Sequence, residues 1–338
     1  MSLAHVERPP VVVVGGPTAA GKSRVAIDLA LRFEGEIVNA DSVQVYRYLD
    51  VGTAKPTTEE RARVPHHLLD VVKPDVPYNA GRYLGEARAA AQRVHARGRL
   101  VILAGGTGLY VRACLEGLIP GAGSDAGLRA RLEAEDAAAR RAGEPERLHQ
   151  RLAGLDPEAA ARTHPSDARR VIRALELCAL GGPASLARRR HGFADRPYRV
   201  LHLVLDPGRE ELDRRIDARC ARMLDAGLLR EVRGLRAMGY GPELRPLQAI
   251  GYRHLHPVVD GLDTLANALE AMRRDTRRFA RRQRTWWRGV PEAVWMNPED
   301  ADSIAKAVEA FLGAQAISTR GAAAADPPDA PRYSPPEV

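Results

Sequence analysis

At 338 residues, with 45% hydrophobic and 28% charged content, the chain can bury one large core or two moderate ones and has the balance of a globular protein. Three scattered cysteines, Cys114, Cys178 and Cys220, lack pairing or zinc-ligand spacing, so a disulfide scaffold and a Cys-rich zinc site are set aside. The formal charge of +8 admits a polyanionic partner but is weak evidence for one, and no apolar run approaches a membrane span.

The N-terminal stretch MSLAHVERPP has no signal-peptide core, which sets a cytoplasmic expectation with no membrane partner. Four valines at 11–14 then lead into Gly16, Pro17, Thr18, Ala19, Ala20, Gly21, Lys22 and Ser23. Apolar residues follow at helical spacing, Val25, Ala26, Leu29 and Ala30. A buried strand, a glycine-rich turn and a helix start in this order match G-x-x-x-x-G-K-S/T, a phosphate-binding loop. Its backbone N–H groups converge on one spot, Lys22 adds a full charge, and the Ser23 hydroxyl is placed for Mg²⁺. Read alone, the loop says nucleotide. It does not separate kinases, nucleotide hydrolases and diphosphate-releasing transferases.

Residues 36–40 read as a second strand, ending in Asp41, Ser42, Val43 and Gln44. In a parallel α/β sheet such residues face the ligand crevice. Asp41 is open to three readings: Mg²⁺ ligand, general base, or an Asx turn or helix cap. Turn formers fill 49–56, and residues 66–72 read as a strand that points His66 and His67 to opposite faces, against a shared metal. A helix capped by Asn79 leads to the apolar strand 100–104. Gly105, Gly106, Thr107 and Gly108 then make a second glycine-rich strand-to-helix turn at the same sheet edge.

From about 121 to 190 strand patterns vanish, which predicts a helical insertion. Asp125 caps a helix carrying Arg129, and Ser166 or Asp167 caps one carrying Arg169, Arg170 and Arg173. Arginines in a first turn oppose the helix dipole, so a basic contact face or a plainly solvated one is the choice there. The strand pattern resumes at 199–205, and the next helix carries Arg215, Arg219 and Arg222 near one-turn spacing, with Gly227 as its C-cap. Gln248, Gly251, Tyr252 and Arg253 sit at a loop or helix end. Over 262–288 a long helix shows one stripe at 4,3,4,3 spacing, Leu265, Leu269, Met272, Thr276, Phe279, Gln283 and Trp286. Its other faces carry many arginines, among them Arg281, Arg282, Arg284 and Arg288, a density suited to nucleic-acid phosphates. A last strand at 293–297 and a last helix at 301–312 precede a tail, from 316, expected to be disordered.

Together the segments GPTAAGKS, NADSVQVYRYLDVGTAKP, HHLLDV, GGTGLY, HPSDARRVIRALE, LQAIGYR and RRQRTWWR resemble, in order, the tRNA dimethylallyltransferases. The resemblance implies a P-loop-type α/β fold: a mostly parallel sheet flanked by helices, with an inserted all-helical domain. The core would span 10–120 and 197–313, the insertion 121–192 would contact tRNA, and 316–338 would be tail. The implied reaction moves a dimethylallyl group from dimethylallyl diphosphate to N6 of the adenine 3′ of the anticodon. Asp41 would take the N6 proton, Thr107 would contact the reacting site, and Arg219 would bind diphosphate beside the loop and Mg²⁺ on Ser23. The tRNA anticodon stem-loop would meet Asp41 through Gln44, Thr107, Arg129, Arg169, Arg170, Arg173, Gln248, Gly251, Tyr252, Arg253, Arg281, Arg282, Gln283, Arg284, Trp286 and Arg288. A monomer is expected. Prenylation of free adenine nucleotide, small-molecule phosphorylation and non-catalytic RNA binding are the competing readings.

Overall fold

In the computed structural model, residues 8–118, 125–186 and 195–323 are described. Strands β1 (Pro10–Gly15), β2 (Gly35–Asn39), β3 (His66–His67), β4 (Leu100–Ala104), β5 (Arg199–Leu205) and β6 (Ala293–Met296) form one sheet in the order β3-β2-β4-β1-β5-β6. All of these pairings are parallel, with Val12 in register with Ile102 on one side and Leu201 on the other. Parallel strands covered on both faces need continuous apolar runs, and the buried valines at 11–14 and residues 100–103 supply them.

The chain divides into two compact units. One comprises residues 1–111 and 198–338; the other comprises 112–197, wider than the 121–192 expected for the insertion. Within the first unit, α1 (Lys22–Arg32), α2 (Thr58–Arg63) and α3 (Ala80–Ala96) alternate with strands, and α4 (Gly108–Glu116) begins after β4. The second unit contains α5 (Ala126–Arg141), α6 (Arg147–Leu155), α7 (Pro157–Ala161) and α8 (Ala168–Gly181) around Leu132, Leu148, Leu152, Val171 and Leu175. Asp125 and Asp167 cap its helices by accepting from Leu128 N–H and Arg170 N–H. The chain then returns to the first unit for α9 (Arg209–Asp225), α10 (Leu228–Ala237), α11 (Tyr252–Val259), α12 (Leu265–Arg288) and α13 (Ala301–Ala323).

Three expectations need correction. The strand expected over 66–72 stops at His67, because Leu68 and Asp70 turn through positive φ, and Val72 makes only an isolated bridge to Tyr46. The buried stripe of α12 keeps Met272, Thr276 and Gln283 of the expected one, but Ala268, Ala280 and Trp287 complete it in place of Leu265, Leu269, Phe279 and Trp286. Small alanines let the helix approach closely, and Leu265 is left 41% exposed. Trp287 is fully buried against Gly15, where an added Cβ would come within 2.2 Å of its ring. Finally, α13 continues past 316 to Ala323, as its alanine-rich sequence favours. The rest of the expected tail, 324–338, lies outside the described residues.

Candidate active site

In this sheet β2, β4 and β1 are neighbours, so the loops leaving their C-terminal ends share one edge. That edge opens into a cleft of about 1220 Å³, and the phosphate loop, Asp41 and Gly105–Gly106 line it. Its geometry starts from backbone. Gly16 sits at φ +127° with Leu205 O where a Cβ would be, so only glycine turns the chain there. Ala19 and Gly21 are also left-handed, and Gly21 precedes the first turn of α1. The N–H groups of that turn have no intrahelical acceptor and point out of the helix, the usual anion site. Lys22 Nζ donates to Pro17 O at 2.7 Å, which holds the ammonium over the loop.

Asp41 Oδ1 accepts from Val43 N–H at 2.8 Å and Gln44 N–H at 3.3 Å, so the turn-cap reading is realised. This fixes the carboxyl's direction and leaves its second oxygen for chemistry. Thr107 Oγ1 accepts from Ser42 N–H at 3.0 Å and donates to Ser42 Oγ at 3.3 Å, tying the loop after β4 to the loop after β2. Gln44 also lines the cleft, its amide donating to Thr53 O and Ala54 O.

Arg219, on α9, completes the cluster. Burial lowers its pKa, and the Asp41 charge opposes that shift. Burial likewise pulls Lys22 down to about 8, helped by Arg219 and opposed by Asp41. Two desolvated cations and one carboxylate thus act on one another at the phosphate loop. Such a site is short of negative charge, and a diphosphate would supply it. Arg215 and Arg222 also line the cleft, though Arg215 is held by Glu211 and Glu299.

The other expected contact residues divide. Gln283 is buried and spans two loops, accepting from Thr18 N–H and donating to Gly106 O, both at 2.8 Å. Its amide thus ties the phosphate loop to the loop after β4, and the residue also lines the cleft. Tyr252 and Gly251 are also buried, with the Tyr252 hydroxyl donating to Glu231 at 2.6 Å. Trp286 packs edge-on to Trp287 and against Gly108. Arg284 makes a two-pronged pair with Asp206 at 2.6–2.7 Å. Arg253 pairs with Asp275; burial of that carboxylate is outweighed by Arg253 and His254, which bring its pKa to about 2. Gln248 is exposed but donates to Pro242 O. Within the helical unit, Arg129 and Arg173 both grip the fully buried Glu176, while Arg169 and Arg170 are exposed, Arg170 beside Asp167. Arg281, Arg282 and Arg288 are exposed with no carboxylate partner among the described residues.

Two positioning residues escaped the sequence reading: Gln283 in this role, and Glu231. The Glu231 carboxylate accepts from the N–H groups of Asp50, Val51 and Gly52. A divalent cation fits the donor set in a limited way. No cluster of three metal-ligating His, Cys, Asp or Glu occurs among the described residues. Ser23 and Asp41 would therefore leave most positions to water and substrate oxygens, as Mg²⁺ prefers. No described helix is long and apolar enough to cross a membrane.

The chain matches the IPP transferase family over residues 44–290 and the isopentenyl transferase family over 9–71. A tRNA dimethylallyltransferase of an Anaeromyxobacter species is 51% identical over 300 residues, covering 88% of this chain and 98% of that one. The corresponding protein of Desulfosudis oleivorans is 48% identical over 307 residues, covering 90% and 96%. Among solved structures, a tRNA isopentenylpyrophosphate transferase from Bacillus halodurans superposes with a TM-score of 0.66 at 35% identity, over 91% and 99% of the two chains. A eukaryotic dimethylallyltransferase described as acting on tRNA gives 0.74 at 28% identity, over 87% and 75%.

Proposed function

The chain belongs to the tRNA dimethylallyltransferase family, and from that premise we propose that it transfers a dimethylallyl group from dimethylallyl diphosphate to N6 of the adenine 3′ of the anticodon. The observation that carries this reading is the meeting of Lys22, Arg219 and Asp41 at one phosphate loop. An aromatic amine is a weak nucleophile, so the leaving diphosphate must be strongly stabilised. The first-turn N–H groups of α1, Lys22 and Arg219 take up charge as the allylic C–O bond breaks. The N6 lone pair forms the new C–N bond, and Asp41, oriented by its two backbone donors, accepts the N6 proton. Thr107 fixes the loop that carries Asp41. Ser23 and substrate phosphate oxygens would hold Mg²⁺, which supplies further charge neutralisation.

An adenine inside a stacked loop cannot reach this edge, so it must swing out of its stack into the cleft. Of the expected tRNA contacts, Arg169, Arg170, Arg281, Arg282 and Arg288 keep the exposure that phosphate binding needs. We assign the helical unit to the same substrate, and the protein to the cytoplasm as a monomer. The test is incubation of the purified protein with tRNA and dimethylallyl diphosphate, with parallel arms of AMP and of ATP plus a phosphoryl acceptor. Nucleoside mass analysis should show one hydrogen replaced by one dimethylallyl unit on tRNAs with adenine 3′ of the anticodon. Turnover in either parallel arm, with unmodified tRNA, would overturn the assignment.

A further inference from the structure

Tyr48 lines the same cleft and is 41% exposed, yet its backbone lies at φ +70°. A bulky side chain there is an outlier, tolerated only where its surroundings impose it. The surroundings do impose the turn. Tyr46 bridges Val72, Arg47 N–H donates to Val72 O at 2.7 Å, and Leu49 is fully buried, so the chain must reverse between fixed points. Glycine would make this turn without strain. The chain instead carries a large aromatic, and burial does not explain it.

What the ring touches is Tyr240, which arrives from the loop after α10. The two rings lie 6.3 Å apart at 23°, close to parallel. Tyr240 is held by its N–H, which donates to Leu235 O at 3.0 Å. The cleft that Tyr48 borders has the cations of the phosphate loop inside it and the exposed Arg222 on its lining. A flat, partly exposed aromatic surface beside a basic cleft is what an unstacked nucleobase needs, since every base has a π face.

The geometry points to a base-stacking platform at Tyr48 and Tyr240 for an unpaired nucleotide of the RNA substrate, separate from the adenine that reacts. The site rests on the proposed RNA substrate. It is sequence-tolerant, because stacking reads no hydrogen-bond edge, and it contributes affinity without touching the reacting atoms.

The strain gives the test its sign. Tyr48→Gly removes the ring and suits the turn, so its Tm should equal or exceed that of the unchanged protein. Its Kd for an anticodon stem-loop RNA should nevertheless rise about five- to tenfold, the lower part of the range for one base–aromatic stack. KM for dimethylallyl diphosphate and kcat at saturating RNA should stay unchanged. Tyr48→Phe should keep the RNA affinity, and Tyr240→Ala should lose part of it. Because the contact is uncharged, the salt dependence of binding should keep its slope in all three variants. A Tyr48→Gly protein that binds RNA within twofold of the unchanged protein would overturn the platform and leave the proposed reaction standing. Failure of the unchanged protein to bind or prenylate RNA would remove both.

Discussion

Lys22 shows how one residue sets opposite pH trends for activity and stability. Burial and Arg219 bring its pKa from 10.5 to about 8, so the free protein loses this charge as pH rises through 8. Bound diphosphate favours the charged form, so kcat, which reports the complex, should hold to higher pH. Above pH 8, kcat/KM for dimethylallyl diphosphate should fall toward tenfold per unit; a flat profile to pH 10 would remove Lys22 from diphosphate binding. The stability sign is reversed. Between pH 8 and 10.5 the unfolded chain holds this proton more tightly than the folded one, so the Lys22 contribution rises with pH. Lys22→Met should accordingly melt no lower than the unchanged protein at pH 7 while losing about a hundredfold or more in kcat/KM. Gln283 behaves differently because its amide is used at both ends. Gln283→Glu sets a carboxylate oxygen against Gly106 O and should cost about 1–3 kcal/mol in denaturant titration.

At the scale of elements, the loop after Leu49 is clasped rather than packed. One carboxylate, Glu231 on α10, accepts three successive backbone N–H groups and the Tyr252 hydroxyl. Beyond the clasp, Thr53 O accepts from Gln44 and, at 3.4 Å, from Arg219. Glu231→Gln keeps the shape but replaces an acceptor by a donor facing donors, and should cost about 1–3 kcal/mol. Amide hydrogen exchange at 50–52 should speed up, and kcat/KM should fall as Arg219 loses its support; unchanged exchange would show that the loop is held by other means. Neither clasp was legible in the sequence. The phosphate loop, Asp41 and the second glycine turn could be read because their chemistry and their spacing are local. The bond from Thr18 to Gln283 joins residues 265 positions apart, and no periodicity records it. The stripe of α12 was partly misread for a related reason: size suggested Leu265 and Trp286, whereas the buried positions fell to Ala268, Ala280 and Trp287, the last packed on Gly15.

Across the whole molecule, the formal +8 overstates what is available to RNA, because many arginines are already committed. On α12, Arg284 holds Asp206, Arg277 holds Asp217 and Arg273 holds Glu270, while Arg281, Arg282 and Arg288 stand exposed. Exposed arginines gain little from folding, so replacing them should leave stability within about 0.5 kcal/mol. If they neutralise phosphates, each lost contact should weaken RNA binding and reduce the slope of log K against log salt by about 0.7–0.9. Arg284 predicts the opposite pattern. Its removal strands the mostly buried Asp206 carboxylate, which should lower stability by up to about 3 kcal/mol and leave the salt slope as it was. Binding titrations of Arg281→Ala/Arg282→Ala/Arg288→Ala and of Arg284→Ala at several salt concentrations, paired with thermal melts, separate the two roles. A triple variant with an unchanged slope would mean that this face of α12 is merely solvated, and that the RNA is held by other charges.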